Sequence, residues 1–191
     1  QQASLFGHSC FAANSAKCTF GTGAFFLVNT GEQIARSDSG LLSTIAWQMA
    51  GEKRTYALEG SVFVAGSLMQ WLRDKMKFYS DVAESEELAG SVENSGGVIV
   101  IPAFVGLGAP YWSDRVRGAI FGLTRDSSPA HIARASLEGV AHQVADLFEL
   151  PELRPVQQIR VDGGMVRNNV FCRNLADFCQ RTVERSSSVE L

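Results

Sequence analysis

The chain has 191 residues, enough for one domain with a single sizeable hydrophobic core. Hydrophobic residues make up 46% and charged residues 19% of the sequence, an ordinary globular composition that excludes wholesale disorder. Seventeen Lys and Arg against twenty Asp and Glu leave a net charge of −3, without a long basic block. We therefore expect neither nucleic acid nor a membrane surface as a partner.

The first third of the chain predicts mainly strands. Residues 1–15 are typical of the end of a helix followed by a loop. Short apolar and β-branched runs bounded by glycine-containing turns then predict four strands, in an arrangement like a β-meander. These predicted strands are residues 16–21, 24–29, 41–49 and 55–58.

Helices and strands alternate over the rest of the chain, which predicts a layered α/β domain. Apolar residues recur at helical spacing in 61–76, and the acidic segment 80–92 predicts a weaker, solvent-facing helix. Ser128-Pro129 is typical of a helix start, and Pro151 ends that long helix. Further predicted elements are strands at 98–101, 117–123 and 158–161, a helix at 168–180 and a last strand near Thr182.

Residues 94–113 carry no charge and are long enough to span a membrane. Glycine and proline recur throughout this stretch, which is incompatible with an unsupported spanning helix. We expect a short buried strand followed by a loop instead.

The cysteines and histidines do not predict a metal site. The four cysteines form no CxxC pair, so we interpret them as free thiols packed in the core, with a reducing cytoplasm as the expected location. The three histidines lie far apart in sequence, without metal-ligand spacing.

Two glycine turns are the candidate ligand-binding segments. In TFGTG at 19–23, backbone amides and the Thr22 hydroxyl can reach a phosphate. Taken alone, however, this motif is better explained by a plain hairpin turn, since glycine is the default turn residue. In IRVDGG at 159–164, a strand runs into Gly-Gly and then a helix, whose N-terminus a nucleotide can approach. Rossmann, P-loop, serine hydrolase and zinc protease motifs do not occur. The residues alone thus indicate an α/β domain with a candidate nucleotide site.

A series of motifs along the whole chain resembles the C-terminal domain of the FGGY carbohydrate kinases, and the glycerol kinases among them most closely. The GLGAPYW segment discriminates best between the glycerol and sugar kinases. The motifs are QQASLFG at 1–7, TFGTG at 19–23, YALEG at 56–60, QWLRD at 70–74, PAFVGLGAPYW at 102–112, RGAIFGLTR at 117–125 and VDGG at 161–164.

The resemblance implies an actin-like ATPase (ribonuclease H-like) domain, with a mixed sheet flanked by helices. It implies a kinase that uses ATP and Mg²⁺ to phosphorylate glycerol at a primary hydroxyl, and a homo-oligomer as the full-length enzyme. It also implies roles for individual residues. Thr22, Gly66, Gln70, Gly164 and Asn168 are expected to bind ATP, while Gln1 and Phe25 are expected to contact glycerol.

The catalytic base of the family is an Asp that would directly precede Gln1. We therefore expect residues 1–191 to be a partial C-terminal domain, truncated at both ends, with no catalytic residue of its own and no activity alone. Two alternatives stay open at this point. The acceptor could be another polyol or a ketose, and the chain could be a non-catalytic actin-like nucleotide-binding module.

Overall fold

A computed structural model describes residues 1–186, which form a six-stranded sheet with helices on both faces and a separate two-stranded hairpin. The expectation for 1–191 thus includes five residues, 187–191, outside the described part of the chain. The strands are β1 (Ala16–Phe20), β2 (Ala24–Gly31), β3 (Leu42–Trp47), β4 (Thr55–Val62), β5 (Ile99–Ile101), β6 (Ala119–Phe121), β7 (Gln158–Asp162) and β8 (Thr182–Arg185). The helices are α1 (Gln2–Gly7), α2 (Gly66–Asp74), α3 (Glu84–Gly90), α4 (Pro129–Phe148) and α5 (Asn169–Cys179).

The main sheet has the strand order β3-β4-β2-β1-β7-β8 and is mixed. The first four strands pair antiparallel, whereas β1, β7 and β8 are parallel neighbours. The predicted β-meander is wrong in one respect, because β4 and not β3 lies beside β2. The reason is burial: most of β4 is buried, while Leu42 and Ile45 leave β3 half exposed, as suits an edge strand.

Successive side chains of β1 point to opposite faces of the main sheet, and thus into two different layers of the domain. Ala16, Cys18 and Phe20 face the main core beneath α4 and α5. The Phe20 ring meets Phe171 of α5 edge-on, with centroids 4.9 Å apart. Each such buried phenylalanine contributes about 1.5–3 kcal/mol of hydrophobic stabilisation. The main core therefore fixes α5 directly against the strand that ends at the TFGTG turn.

Two predicted helices differ from those observed. Strand β4 continues to Val62, so α2 begins only at Gly66 and ends at Asp74 instead of spanning 61–76. Helix α3 is shorter than 80–92. Its glutamates Glu84 and Glu87 are exposed to solvent, as predicted, but Ser85 and Ala89 are buried on the opposite side of the helix. These two small residues lie four apart on one face, which lets α3 pack closely on its neighbours.

The uncharged stretch forms a short strand, β5, and a loop, as the sequence predicts, but the strand is not fully buried: Val100 is buried and Ile99 is exposed. Strand β5 pairs antiparallel with β6 in the separate hairpin. Within residues 1–186, no helix combines the length and apolar character needed to cross a membrane.

The cysteines that the structure describes are free thiols. Cys10, Cys18 and Cys179 are buried and Cys172 is half-buried, as the interpretation of core thiols requires. Burial raises the pKa of the Cys179 thiol to about 12, which keeps it protonated and unreactive at neutral pH.

The opposite face of the sheet, covered by α1, carries a buried polar network in place of a purely apolar layer. Lys17 is fully buried, and its ammonium donates to the side-chain oxygen of Gln1 and to Thr19 Oγ1 at 2.8 Å. This network consists of Gln1, Ser4, His8, Lys17, Thr19 and Asp162.

Asp162 is the acidic member of the polar network. Its Oδ2 accepts a hydrogen bond from Ser4 Oγ at 3.3 Å and lies 3.5 Å from His8 Nε2. Burial alone would raise the pKa of this carboxyl, but the neighbouring His8 and Thr19 side chains and the charge of Lys17 outweigh it. The pKa of Asp162 is therefore held below its ordinary value.

This lowered pKa predicts an acid-dependent loss of stability. Because the folded pKa lies below the unfolded value of about 3.9, ionised Asp162 stabilises the fold above that pH, and the contribution is lost as the pH falls through the folded pKa. At pH 7 the free energy of unfolding of the wild type should exceed that of Asp162→Asn. We expect this difference to become smaller as the pH is lowered from 7 to 3, measured by urea unfolding. Exposed Asp38→Asn is the control, with a small difference at both pH values. An equal difference in free energy of unfolding between the wild type and Asp162→Asn at both pH values would contradict the prediction.

Candidate functional site

The carboxyl ends of three strands meet at one edge of the main sheet. β1 and β7 are parallel neighbours, and β4 runs in the direction of β1 because two antiparallel pairings separate them. A glycine-containing segment follows each of these strands. In α/β sheets, ligands bind outside the carboxyl ends of strands, so this edge is the expected place for a site.

A cavity of about 460 Å³ opens at this edge. Its walls come from the β1–β2 turn, helix α2, the segment around α3, helix α4 and the β7–α5 junction. All five residues that the sequence predicts for ATP binding line this one cavity: Thr22, Gly66, Gln70, Gly164 and Asn168. The two glycine turns thus lie on one shared cavity and not on opposite faces of the domain.

The TFGTG turn is held to the start of α2 by its carbonyl groups. The Thr22 carbonyl accepts hydrogen bonds from Ala65 N at 2.9 Å and from Ser67 N at 3.1 Å, and the Gly21 carbonyl accepts from Gly66 N at 3.0 Å. A Cβ on Gly66 would lie 2.5 Å from the Gly21 oxygen, so only glycine permits this approach. The exposed Thr22 side chain takes no part in holding the helix and faces the cavity.

The two glycines after β7 have different functions. Gly163 has φ +94°, and a Cβ there would lie 2.3 Å from the Phe20 carbonyl oxygen, so the fold itself requires glycine. At Gly164 a Cβ would meet no atom within 4 Å. Gly164 therefore keeps open space at the cavity wall, where a ligand can approach the backbone.

Asn168 begins helix α5. Its side-chain oxygen accepts a hydrogen bond from Phe171 N at 2.9 Å, and its amide nitrogen donates to Ser85 Oγ at 3.3 Å. The side chain is therefore a helix cap and a link to α3, as well as part of the cavity wall. Gln70, by contrast, is exposed on α2 at the cavity.

Sequence reasoning missed the wall around α3 and the charges of the cavity. Asp81 and Glu86 line the cavity from this side, and Arg167 lines it from the β7–α5 junction. The paired small residues Ser85 and Ala89 are the signal that could have placed α3 against the domain. The apolar lining includes Met69, Val82, Leu137 and Met165.

Gln1 and Phe25, the predicted glycerol contacts, do not line this cavity. Both belong to the α1 side of the sheet, where Phe25 is half-buried and packs against the small apolar cluster that includes Leu5 and Leu27. Phe25 pairs across the strands with Thr19, and Thr19 contacts the Lys17 ammonium that binds Gln1. The two residues thus lie on one face, at either end of this chain of contacts.

Within residues 1–186, no group of three or more His, Cys, Asp or Glu side chains is arranged to hold a metal ion. The acidic residues of the cavity, Asp81 and Glu86, do not form such a group.

The sequence matches a known family and named relatives. The family model for the FGGY family of carbohydrate kinases, C-terminal domain, matches residues 16–191. A glycerol kinase of Desulfitobacterium hafniense is 52% identical over 193 residues, which cover 100% of this chain and 39% of that protein. A glycerol kinase of Bacillus cytotoxicus is 52% identical over 188 residues, which cover 97% of this chain and 38% of that protein.

Solved structures share the fold. The glycerol kinase of Plasmodium falciparum, solved with ADP, matches with a TM-score of 0.91 at 38% identity, over 100% of this chain and 38% of that one. A xylulose kinase from Lactobacillus acidophilus matches with a TM-score of 0.83 at 20% identity, over 97% of this chain and 37% of that one. These neighbours confirm the prediction of an actin-like ATPase domain with a mixed sheet flanked by helices.

The chain spans about two fifths of the length of the curated relatives it matches. The family model nevertheless covers nearly all of it, from the start of β1 onward. The chain therefore belongs to the FGGY family of carbohydrate kinases, whose C-terminal domain it carries.

Proposed function

We propose that this chain is the nucleotide-binding part of an ATP-dependent glycerol kinase, which forms sn-glycerol 3-phosphate. The observation that carries the proposal is the 52% identity, along the whole chain, to a protein named glycerol kinase. Among solved structures, identity is 38% to a glycerol kinase and 20% to a xylulose kinase, which favours glycerol over a ketose as the acceptor.

ATP is proposed to occupy the 460 Å³ cavity. The Thr22 hydroxyl and the adjoining backbone would bind the phosphates, while Gly164 and Asn168 would line the adenine side. Met69 and Met165 supply apolar surface for the base. Phosphoryl transfer depends mainly on positioning and charge stabilisation, and a rigid turn with a free hydroxyl suits that task.

In the proposed reaction, a primary hydroxyl oxygen of glycerol attacks the γ-phosphorus. A new P–O bond forms, the bond to the β-phosphate oxygen breaks, and ADP leaves. The hydroxyl proton would pass to a carboxylate, which the family resemblance places directly before Gln1. Gln1 and Phe25 are proposed to supply a polar contact and an apolar wall for glycerol.

The nucleotide is proposed to enter as its Mg²⁺ complex. Since the described residues hold no cluster of metal ligands, the phosphates of ATP and the rest of the enzyme would coordinate the ion, and we assign it no ligand in residues 1–186. We further propose that the full-length enzyme is a cytoplasmic homo-oligomer.

The proposal is tested with the full-length protein that contains this chain. A coupled assay that detects ADP should show rapid phosphorylation of glycerol and much slower phosphorylation of a pentulose. Transfer to the pentulose but not to glycerol would reject glycerol as the acceptor. Nucleotide binding without transfer to any acceptor would favour the non-catalytic module.

Thr22→Val should slow phosphoryl transfer, because valine keeps the branched shape but removes the hydroxyl. We expect kcat to fall by ~10²–10³-fold, the loss typical when one donor to the transition state is removed. Thr22→Ser is the matched control and should retain most of the activity. Equal kcat values for Thr22→Val and the wild type would remove Thr22 from the site.

Substitutions at the neighbouring Gly163 and Gly164 should affect folding and nucleotide binding separately. Gly164→Val points a side chain into open space, so we expect ATP affinity to fall about tenfold, a loss of about 1.4 kcal/mol, with little change in Tm. Gly163→Ala clashes with the Phe20 carbonyl and should lower Tm by several degrees. Calorimetric titration with ATP and thermal unfolding measure the two effects. Unchanged ATP affinity in Gly164→Val would place the nucleotide elsewhere.

A further inference from the structure

Lys17 is a fully buried cation, and the proposed nucleotide and acceptor contacts do not include it. Its ammonium has three donor hydrogens, and its recorded acceptors are the neutral oxygens of Gln1 and Thr19. Among residues 1–186, no carboxylate lies within 4.0 Å of it, so it forms no direct ion pair. Burying such a charge is costly, and an apolar side chain of similar length would avoid that cost.

The bond from Lys17 fixes which way the Gln1 amide faces. An ammonium only donates hydrogen bonds, so the Gln1 oxygen and not its NH2 group must face Lys17. The amide oxygens and nitrogens of glutamine are otherwise assigned from their partners alone, and this partner leaves no choice. The NH2 group of Gln1 is therefore directed away from Lys17, on a residue that is exposed.

The surroundings hold Lys17 and Gln1 in place. Ser4 Oγ lies 3.2 Å from Thr19 Oγ1, which ties helix α1 to strand β1. The Gln2 side chain donates to Thr44 Oγ1 at 3.2 Å, which ties the start of the same helix to β3. Phe25 lies opposite Thr19 on the neighbouring strand, so an apolar wall and the exposed NH2 group belong to one face of the sheet.

We propose that Lys17 is a positioning residue for the acceptor site: it locks the Gln1 amide so that Gln1 presents N–H donors, and not an acceptor, to a hydroxyl oxygen of the polyol. This inference rests on the proposed function. It adds Lys17 as a positioning residue and specifies that Gln1 donates, and does not accept, the hydrogen bond to the substrate. Gln1 contacts the substrate, whereas Lys17 acts only through Gln1. The site thereby requires a hydrogen-bond acceptor, such as a hydroxyl oxygen, at that position of the substrate.

The test is a double-mutant cycle in the full-length enzyme, with Lys17→Met, Gln1→Ala and the combined variant. Lys17→Met keeps the length of the side chain and removes the charge. We expect KM for the acceptor to rise about tenfold in each single variant, with KM for ATP within about twofold of wild type. The combined variant should be no worse than Gln1→Ala, because Lys17 has nothing left to orient.

Two further variants test the polarity of the amide. Lys17→Arg retains a donor cation and should restore part of the acceptor affinity. Gln1→Glu would pair with Lys17 but presents no donor, so KM for the acceptor should rise although the contact to Lys17 is kept. Exposed Lys53→Met is the control and should leave both KM values unchanged.

The inference would be overturned if the rises in acceptor KM of the two single variants multiplied in the double variant. It would also be overturned if KM for the acceptor and KM for ATP rose equally. A Gln1→Glu variant with wild-type acceptor affinity would also overturn it. KM is a property of the folded enzyme molecules. Partial unfolding of Lys17→Met would therefore lower the apparent kcat but would not produce the expected rise in KM for the acceptor. The wild-type assay alone decides whether glycerol is the acceptor; if a pentulose is phosphorylated instead, the same cycle is measured with the pentulose.

Discussion

Close contact between backbones, at the edge where β1, β4 and β7 end, is the constraint on which the rest of this domain depends. Gly66 lies directly against the Gly21 carbonyl, and Gly163 against the Phe20 carbonyl. Both contacts exclude a side chain, and together they hold α2 and the β7–α5 junction at the end of the same strand. The cavity is the space left between α2 and the β7–α5 junction, which these two backbone contacts bring together.

The residues that line the cavity were better predicted from the sequence than the order of the strands in the sheet. Glycine turns after apolar strands mark the cavity locally, and the family resemblance supplied the further positions on α2 and α5 that line it. The order of the strands depends on which strand is buried on both sides, and this is a property of the complete fold. The β-meander was therefore a reasonable but wrong prediction for β3 and β4.

The acidic composition of helix α3 predicts its exposed side but not its buried one. Its glutamates predict a solvent-facing helix, but Ser85 and Ala89 form a narrow buried face that hydrophobicity does not reveal. Likewise, nothing in the pattern around Lys17 predicts a buried ammonium, because an alternating strand places lysine on the polar side by default. Only the covering helix α1 converts that side into an interior.

Asn168 has a consequence for how such a domain can diverge. One side chain caps α5, bonds to Ser85 and forms part of the cavity wall. The side chains of Asp, Ser and Thr can also cap a helix, whereas most others cannot. A change at this position therefore alters the cavity wall without weakening the start of α5 only within that small set of residues. Gly164, four residues earlier, has no such second role, because a Cβ there would meet no atom within 4 Å. Changes in the ligand preference of the cavity are therefore expected to begin at Gly164.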